Sequence, residues 1–524
     1  MNFKLHSFVA AALAGSMLMG FGTSAMADST DDIVNALVAK GVLTEEEGAL
    51  LLKGRTGEKE AAEAKKKTAV SIKNKDGAMV FESGDGKNSM AVTGRVHFDA
   101  RSVNNDASGK TSATLSDKDT SSMADQFEIR RARIGVKGKM FEHFDYEVQA
   151  NVVGSNTNIV DVAYVNAGIY KQAQLKLGQF KQPFNLEEQT SSNNLDFMER
   201  SYVNQLSPTK KPGLMLHGVP TAGFTYAGSV YQQNAFGEVD AENTGKGFAG
   251  RATANFAELA GWNDVVVHAG LAGFDSDYGV TPTTSSSGGT ATAATVLSFR
   301  TDGRGMTNAY RAQIGGEAVA TAGYSAPSPK TASVKNKAYG LEMALAKGPF
   351  KVQGEFTDQT FDATAAGTAN TLTADAKAYY VEALWMLTGE NYADWYKNGS
   401  WGGIKPKNNF DVETGKGLGA WELGVRFDAY DVTNVEFNAN GSSTNLNRIN
   451  GSYNGAAGGG TSYAAAGGGA KTYTAGIKWQ LTPNMRVMAN YSHTKFDDAF
   501  TATDTSLTNI SKEDLLMMRT QFSF

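Results

Sequence analysis

Basic side chains recur at alternate positions of the sequence, where they could bind anions. In one stretch, apolar residues alternate with cations, and these cations are Arg131, Arg133, Lys137 and Lys139. Arginine can hold phosphate or carboxylate through two parallel hydrogen bonds, and lysine attracts the same groups as a point charge. The basic residues Arg95, Arg251 and Arg426 also fall on the polar faces of their own stretches. A row of such cations facing water would therefore raise the local concentration of anions.

The element that would position these cations is a strand with one apolar and one polar face. From about residue 90 to residue 524 the sequence alternates with a period of two, as residues 92–101, 144–152 and 421–428 illustrate. Within residues 92–101, Val96 and Phe98 lie on the apolar face, and Arg95, His97 and Asp99 lie on the polar face. Strands of a soluble β-sandwich alternate in a similar way, so a single strand does not distinguish a sandwich from a transmembrane barrel. The number of such strands, together with an export signal, favours a transmembrane barrel.

The N-terminus predicts export. Lys4 precedes an apolar stretch at residues 8–21 and a small-residue site at Ala25-Met26-Ala27, so residues 1–27 are interpreted as a signal peptide. Its removal leaves 48 basic and 54 acidic residues and a net charge of -6, which argues against nucleic-acid binding. With no cysteine, the chain has no disulfide, thiolate chemistry or cysteine-bound metal. No later apolar run reaches the roughly 18 residues of a membrane-spanning helix.

The chain divides into three mature segments. Residues 28–67 are predicted to form helices and a charged tail, with Thr44 and Glu47 as a capping box; they are either a spacer or a periplasmic trimerisation or cell-wall segment. Residues 68–90 are a linker. Residues 91–524 are the barrel, and at about 27 residues per strand and connection they would form about 16 strands. The predicted fold is therefore an all-β transmembrane antiparallel β-barrel of about 16 strands after a short helical segment.

Connection lengths differ between the two predicted ends of the barrel. Tight turns at residues 347–349 and 482–484 suit the periplasmic end, whereas residues 104–124, 282–291 and 438–469 suit long extracellular loops. The last residues alternate up to Phe522 and Phe524. This ending resembles the last strand of outer-membrane barrels. The resemblance implies that the barrel-assembly machinery recognises these two residues as its signal.

Ordered motifs across residues 91–524 resemble the phosphate-selective porins of the O and P type. They are Gly94-Arg95-Val96, residues 129–138, 161–165, 177–184, 348–356, 387–390, 419–423, Trp479, residues 483–487 and Asn490-Tyr491. The resemblance implies a homotrimer of 16-stranded barrels in outer-membrane lipid, each pore narrowed by an inward third loop near residues 185–206. It also implies an arginine ladder with lysines at the constriction. By motif, these positions are Arg130, Arg131, Arg133 and Lys181.

The identity of the solute stays open, because the charges predicted to face the lumen are of both signs. The predicted constriction loop carries both signs, at Glu187, Glu188, Asp196, Glu199 and Arg200. Passive diffusion of small hydrophilic solutes is predicted, either without preference or with a preference for phosphate or other anions. The alternative is a structural or partner-binding barrel, for instance a sheath for an electron-transfer protein or an adhesion receptor. A barrel enzyme is disfavoured, because the sequence has no recognisable Ser-His or acid-His set.

Three features that could bind ligands are set aside. Gly109-Lys110-Thr111 lacks the glycine that a phosphate-binding loop needs five residues earlier, since Asn104 stands there. The six histidines have no metal-binding spacing, and the acidic pairs Asp275 with Asp277 and Asp497 with Asp498 are read as solvated. No cofactor and no metal site is predicted.

Overall fold

The computed structural model divides the chain into two units, residues 1–70 with 83–85, and residues 71–82 with 86–524. It describes residues 34, 38–40, 43–47, 49–50, 52, 69–75, 77–105, 125–153, 159–233, 245–280, 293–305, 309–315, 332–365, 371–438, 448–449, 452–453, 463–464, 467–500 and 510–524. The predicted signal peptide, residues 282–291 and Gly109-Lys110-Thr111 lie outside the described residues, as do most of residues 104–124 and 438–469. In the described helices, none is long and apolar enough to cross a membrane.

In the first unit, residues 45–47, 49–50 and 52 are helical. The predicted capping box is present, because the Glu47 amide donates to the Thr44 hydroxyl at 3.2 Å and the Thr44 amide donates to the Glu47 carboxylate at 2.9 Å. These bonds satisfy amide groups that have no partner inside a helix.

The second unit is a closed antiparallel barrel of 16 strands, which confirms the predicted fold class. A hairpin of β1 (Ser71–Lys75) and β2 (Ala78–Glu82) precedes it and pairs with the first barrel strand. The barrel strands are β3 (Ser89–Asn105), β4 (Gln126–Met140), β5 (Phe144–Asn151), β6 (Val160–Tyr170), β7 (Ala173–Lys181), β8 (Lys210–Thr221), β9 (Phe224–Gln232), β10 (Lys246–Asn255), β11 (Val265–Val280), β14 (Ala332–Lys347), β15 (Phe350–Ala365), β16 (Thr371–Met386), β19 (Ala420–Asn438), β23 (Gly468–Thr482), β24 (Met485–Phe500) and β25 (Ile510–Ser523).

Shorter elements occupy the connections. They are β12 (Ala293–Phe299) and β13 (Tyr310–Gly315), β17 (Tyr396–Lys397) and β18 (Ser400–Trp401), the two-residue strands β20 (Arg448–Ile449), β21 (Ser452–Tyr453) and β22 (Tyr463–Ala464), the helices Leu186–Gln189, Tyr202–Gln205 and Phe256–Leu259, and the 3-10 helix Tyr392–Trp395. The predicted tight turns at residues 347–349 and 482–484 join β14 to β15 and β23 to β24.

Alternation places the apolar faces outside and the polar faces inside. Val96 and Phe98 are 41% and 44% exposed, whereas His97 and Asp99 between and after them are fully buried. Strand β25 closes the barrel by pairing with β3, with Thr520 opposite Phe98. Because side chains on a strand alternate between its two faces, an apolar residue at every second position is enough to face lipid.

A β-bulge interrupts this alternation in β4. His97 pairs with Arg131 and Phe98 pairs with Ile129, so Arg130 has no residue opposite it. Before the bulge Ile129 faces outward, and after it the outward residue is Ile134. Both Arg130 and Arg131 therefore point into the barrel, although they are adjacent in sequence.

Two connections fold into the barrel from opposite rims. The first is residues 182–209, between β7 and β8, which we call loop three; Phe184, Leu186 and Met198 in it are fully buried. The second is residues 387–419, between β16 and β19, at the rim of the tight turns. Its short hairpin turns at Asn398 and Gly399, which both have positive φ, as a hairpin turn of type I′ requires. The two segments meet where the Trp401 amide donates to the Thr190 hydroxyl at 3.3 Å.

Candidate functional site

A cavity of about 290 Å³ lies between loop three and strands β3 to β8, and we call it the basic cavity. Among the described residues, three carboxylates line it, on Glu147, Asp161 and Glu188. Seven basic side chains outnumber them, namely Arg95, Arg131, Arg133, Lys176, Lys181, Arg200 and Lys210. The local charge is therefore strongly positive, although the mature chain as a whole is acidic.

Three arginines in the basic cavity keep a hydrogen-bond donor without a partner among the described residues, and Arg133 is one of them through its Nε. Arg95 donates from Nη1 to the Ser192 hydroxyl at 2.8 Å, but its Nε has no partner among the described residues. Arg131 is 7% exposed, its nearest carboxylate oxygen belongs to Glu199 at 4.0 Å, and its Nη1 is likewise unpartnered there. A buried donor without a partner is costly, so these groups favour an anion that enters the cavity.

The other cations of the basic cavity are held in place by oxygens. Arg133 lies 2.9 Å from the Asp161 carboxylate, which also accepts a bond from Lys210. Lys181 donates to three consecutive backbone carbonyls of loop three, including that of Thr190 at 2.9 Å. Arg200 donates to the same Thr190 carbonyl at 2.8 Å. These bonds fix the positions of the charges without cancelling most of them.

Three of the four acids of loop three face strand cations instead of lining the cavity. Glu199 accepts bonds from Arg130 at 2.8 Å and from Arg519 at 2.9 Å. Burial by itself would raise the pKa of the Glu199 carboxyl, but Arg130, Arg131 and Arg519 hold that pKa well below its usual range. The Glu199 carboxylate therefore stays ionised, and the arginines of this cluster balance its charge.

Two further acids of loop three are bound in the same way. Asp196 lies 2.5 Å from the Lys351 ammonium and 3.5 Å from that of Lys478. Glu187 accepts the Ser201 hydroxyl at 2.7 Å and lies 3.5 Å from Arg426. Among the loop-three acids predicted at the constriction, only Glu188 lines the basic cavity.

Strand carboxylates also hold the two short helices of loop three. Glu355 in β15 accepts the backbone amides of Leu186 at 2.7 Å and Glu187 at 2.8 Å. Asp428 in β19 accepts the backbone amide of Tyr202 at 3.0 Å. The first amides of a helix have no partner within it, so a carboxylate placed there stabilises the helix.

The remaining residues predicted along the pore lie elsewhere. Lys137 and Lys139 line a second cavity of about 810 Å³, the vestibule, at the rim of the tight turns. Arg251 and Arg426 point into the barrel, but neither lines the basic cavity or the vestibule. Arg251 lies 2.7 Å from Glu342, and Arg426 pairs with Asp302 and packs on the Phe197 ring. Alternation predicts only the face of a strand and not what fills the space in front of it.

Several interior cations were not singled out from the sequence. Lys176 lines the basic cavity with its ammonium 4.5 Å from the centre of the Tyr164 ring, and Arg519 anchors loop three. The sequence does contain a pattern that could have identified both residues. Leu175 and Leu177 flank Lys176, and Met518 and Thr520 flank Arg519, as the alternation of a barrel strand requires.

The C-terminal Phe524 lies at the seam between the first and last strands. Its amide and carbonyl exchange hydrogen bonds with Gly94, at 3.1 Å and 2.9 Å. A Cβ atom at position 94 would lie 2.4 Å from the Phe524 ring, so a larger residue there would require that ring to move. Phe522 is half exposed on the outer face, 6.1 Å from Phe524 between ring centres. Their role as an assembly signal stays a prediction.

The closed barrel and the charged cavity inside it define a channel-forming outer-membrane protein. The model of the family "Phosphate-selective porin O and P" matches residues 91–524, so the chain belongs to this porin family, as the motifs predicted. The protein is therefore an outer-membrane channel for small hydrophilic solutes rather than an enzyme.

The chain is also similar to individual proteins of known sequence or structure. The chain is 25% identical to Porin O of Pseudomonas aeruginosa over 387 residues, which are 71% of this chain and 78% of that protein. OmpT of Vibrio cholerae shares 10% identity with a TM-score of 0.46, covering 84% of this chain and 98% of OmpT. An anion-selective porin of Comamonas acidovorans shares 11% identity with a TM-score of 0.41, covering 83% and 100% of the two chains.

Proposed function

We propose that this porin prefers anions, with phosphate among them. The single observation that carries the proposal is the excess of seven cations over three carboxylates in the basic cavity. Arg95 and Arg131 there hold donors without partners among the described residues, and a phosphate or carboxylate oxygen could accept them. The name of the family and the relative Porin O agree with this preference.

The proposed pore route runs from the vestibule to the basic cavity. Both are lined in part by Tyr164 and Lys176, so they adjoin at this pair. The constriction would be formed by Arg95, Arg131, Arg133 and Lys181. Anions would be attracted to the vestibule by Lys137 and Lys139. Arg130 would act indirectly, by holding the Glu199 carboxylate.

The test is the reversal potential of single channels in a planar bilayer under a gradient of KCl. We expect the sign that indicates chloride preference at about 0.1 M salt, where charges act over about 10 Å. Added phosphate should lower the chloride current, because phosphate binds the same donors. A reversal potential indicating cation preference, without block by phosphate, would show a general porin and contradict the proposal.

We further propose the assembly that the family suggests. Residues 1–27 would be cleaved on export, the barrel-assembly machinery would fold the chain into outer-membrane lipid, and three copies would form a homotrimer. Crosslinking of the purified protein in lipid, with and without heating, would count the subunits, and N-terminal sequencing of the mature chain should begin at Asp28. A stable monomer in lipid would contradict the homotrimer, and an uncleaved N-terminus would contradict the signal peptide.

A further inference from the structure

The barrel contains another cavity, of about 490 Å³, whose lining is almost uncharged; we call it the neutral cavity. It shares no lining residue with the basic cavity. Its walls come from the end of loop three, from β12 and from the inward faces of β8, β11, β14 and β15. Most of the polar lining consists of amides and hydroxyls, on Gln205, Ser207, Thr209, Ser298, Asn336 and Gln359.

Gln359 gives this cavity an unused hydrogen-bond acceptor. Its side chain is 3% exposed, and its Oε1 has no partner among the described residues. The strand register explains this, because Gln359 in β15 lies between Ala338 of β14 and Ala376 of β16. Neither alanine carries a donor. A buried amide oxygen normally has a partner, so a donor from a bound solute would complete this site.

Aromatic rings form another part of the wall. Phe274 and Phe361 are each 6% exposed, and Tyr278 lines the cavity beside them. Phe274 is fixed from behind, since it packs edge-on against Phe184 of loop three with ring centres 5.0 Å apart. Rigid aromatic faces bind C–H surfaces, whereas amides and hydroxyls bind O–H groups. The ring of a sugar offers both kinds of surface.

The charge of the neutral cavity is low. Within the described part of the chain, Lys211 is the one cation in its lining, and its ammonium donates to the Gln233 backbone carbonyl. Among the lining residues that the structure describes, there is no carboxylate and no arginine. The forked donors that bind phosphate in the basic cavity therefore have no counterpart here.

We propose that the neutral cavity is a binding site for an uncharged, polyhydroxylated solute of about monosaccharide size. The solute would donate a hydroxyl to Gln359 Oε1 and pack its C–H face on Phe274 and Phe361. The volume lies within the range of small-molecule sites. The site opens at the rim of the long connections, because its lining includes the ends of β8 and β11 at that rim.

The test is calorimetric titration of the folded protein with glucose, with gluconate as a charged analogue of similar size. We expect glucose to bind once per chain. Gln359→Leu should weaken that binding at least about tenfold while the chloride current stays unchanged. Ser298→Trp is a second variant that keeps the test valid if Gln359→Leu does not fold. Ser298 is exposed in the cavity, and a tryptophan there should fill it and abolish glucose binding.

Arg131→Ala is the control, because Arg131 lines only the basic cavity of the two; glucose binding should survive it. Absence of glucose binding to the unaltered protein would overturn the proposal. Binding of gluconate without glucose would also overturn it, since the site would then be an anion site built on Lys211. Loss of glucose binding in Arg131→Ala would place the sugar in the basic cavity and would equally contradict the proposal.

Discussion

Arg131 is the residue in which charge and geometry can be separated most cleanly. Its guanidinium is buried in the basic cavity with a donor that no described residue accepts. We expect Arg131→Ala to shift the reversal potential towards cations and to weaken the block by phosphate about tenfold or more, since one charged hydrogen bond contributes about 1.5–3 kcal/mol. Bilayer recordings in a KCl gradient measure both quantities.

The matched control for this prediction is Arg131→Lys. Lysine keeps the charge but loses the fork, so the reversal potential should stay near that of the unaltered channel while the block by phosphate weakens. If the two variants behave alike, the fork of Arg131 is not what binds phosphate.

Glu199 is the residue that fastens loop three to the wall. In Glu199→Gln, Arg130 and Arg519 would lose their buried carboxylate partner, and we expect the free energy of unfolding to fall by about 3–5 kcal/mol. Urea titration of the protein in lipid measures this. An exposed glutamate, in Glu413→Gln, is the control and should change stability by less than about 0.5 kcal/mol.

The low pKa of Glu199 fixes the pH dependence of that difference. A carboxyl whose pKa is lowered by folding stabilises the fold above its unfolded pKa, and this contribution is lost only as the pH falls through the folded pKa. The gap between Glu199→Gln and the unaltered protein should therefore be the same at pH 8 and pH 5. A gap that closes by pH 5 would show that Glu199 is not held ionised.

At the scale of the strand, the bulge at Arg130 makes a deletion predictable. Without Arg130, β4 alternates regularly, so Ile129 and Ile134 keep facing outward, and we expect this deletion to fold. Deletion of Ala132 instead turns Arg133 towards lipid and Ile134 inward, at a cost of about 2–4 kcal/mol for the arginine alone near the bilayer midplane. The heat-dependent shift of folded barrels on gels tests both. Equal folding of the two variants would contradict this account of the bulge.

The sequence predicted the strands of the barrel well and its interior poorly. Alternation depends only on lipid and water at the two faces of a strand, so it can be seen within ten residues. Even the bulge leaves a sign, because the apolar positions change from Phe127 and Ile129 to Ala132 and Ile134. The pairing of Glu199 with Arg519 could not be found in this way, since it joins residues far apart in the chain.

At the scale of the whole molecule, selectivity should depend on salt. The basic cavity acts on passing ions partly through a field that reaches about 10 Å at 0.1 M salt and about 3 Å at 1 M. We expect the reversal potential in a gradient of fixed ratio to shrink as the mean KCl concentration rises over this range. The same channel measured with potassium phosphate should lose less selectivity, because direct contact with arginine is less screened. Selectivity for chloride that is independent of salt would contradict a field effect.

The barrel's bore is also a property of the whole molecule that strand number does not determine. Sixteen strands are enough to enclose an aqueous channel. Here loop three and residues 387–419 fold into the interior and contact each other, and the basic cavity lies beside loop three. The sequence indicated the first segment by resemblance, but the second follows from contacts such as that of the Trp401 indole with Gln353 at 2.5 Å.

The meeting of these two segments inside the barrel has an evolutionary consequence. The residues that touch lipid lie on the barrel strands, whereas these two inserted segments narrow the bore, and buried ion pairs such as Asp196 with Lys351 join insert to wall. Mutations that change the bore can therefore accumulate in the inserts while the outer face of the wall stays under selection by the membrane. For the same reason, an engineer seeking a nanopore of altered bore could exchange the inserts and leave the outer surface untouched.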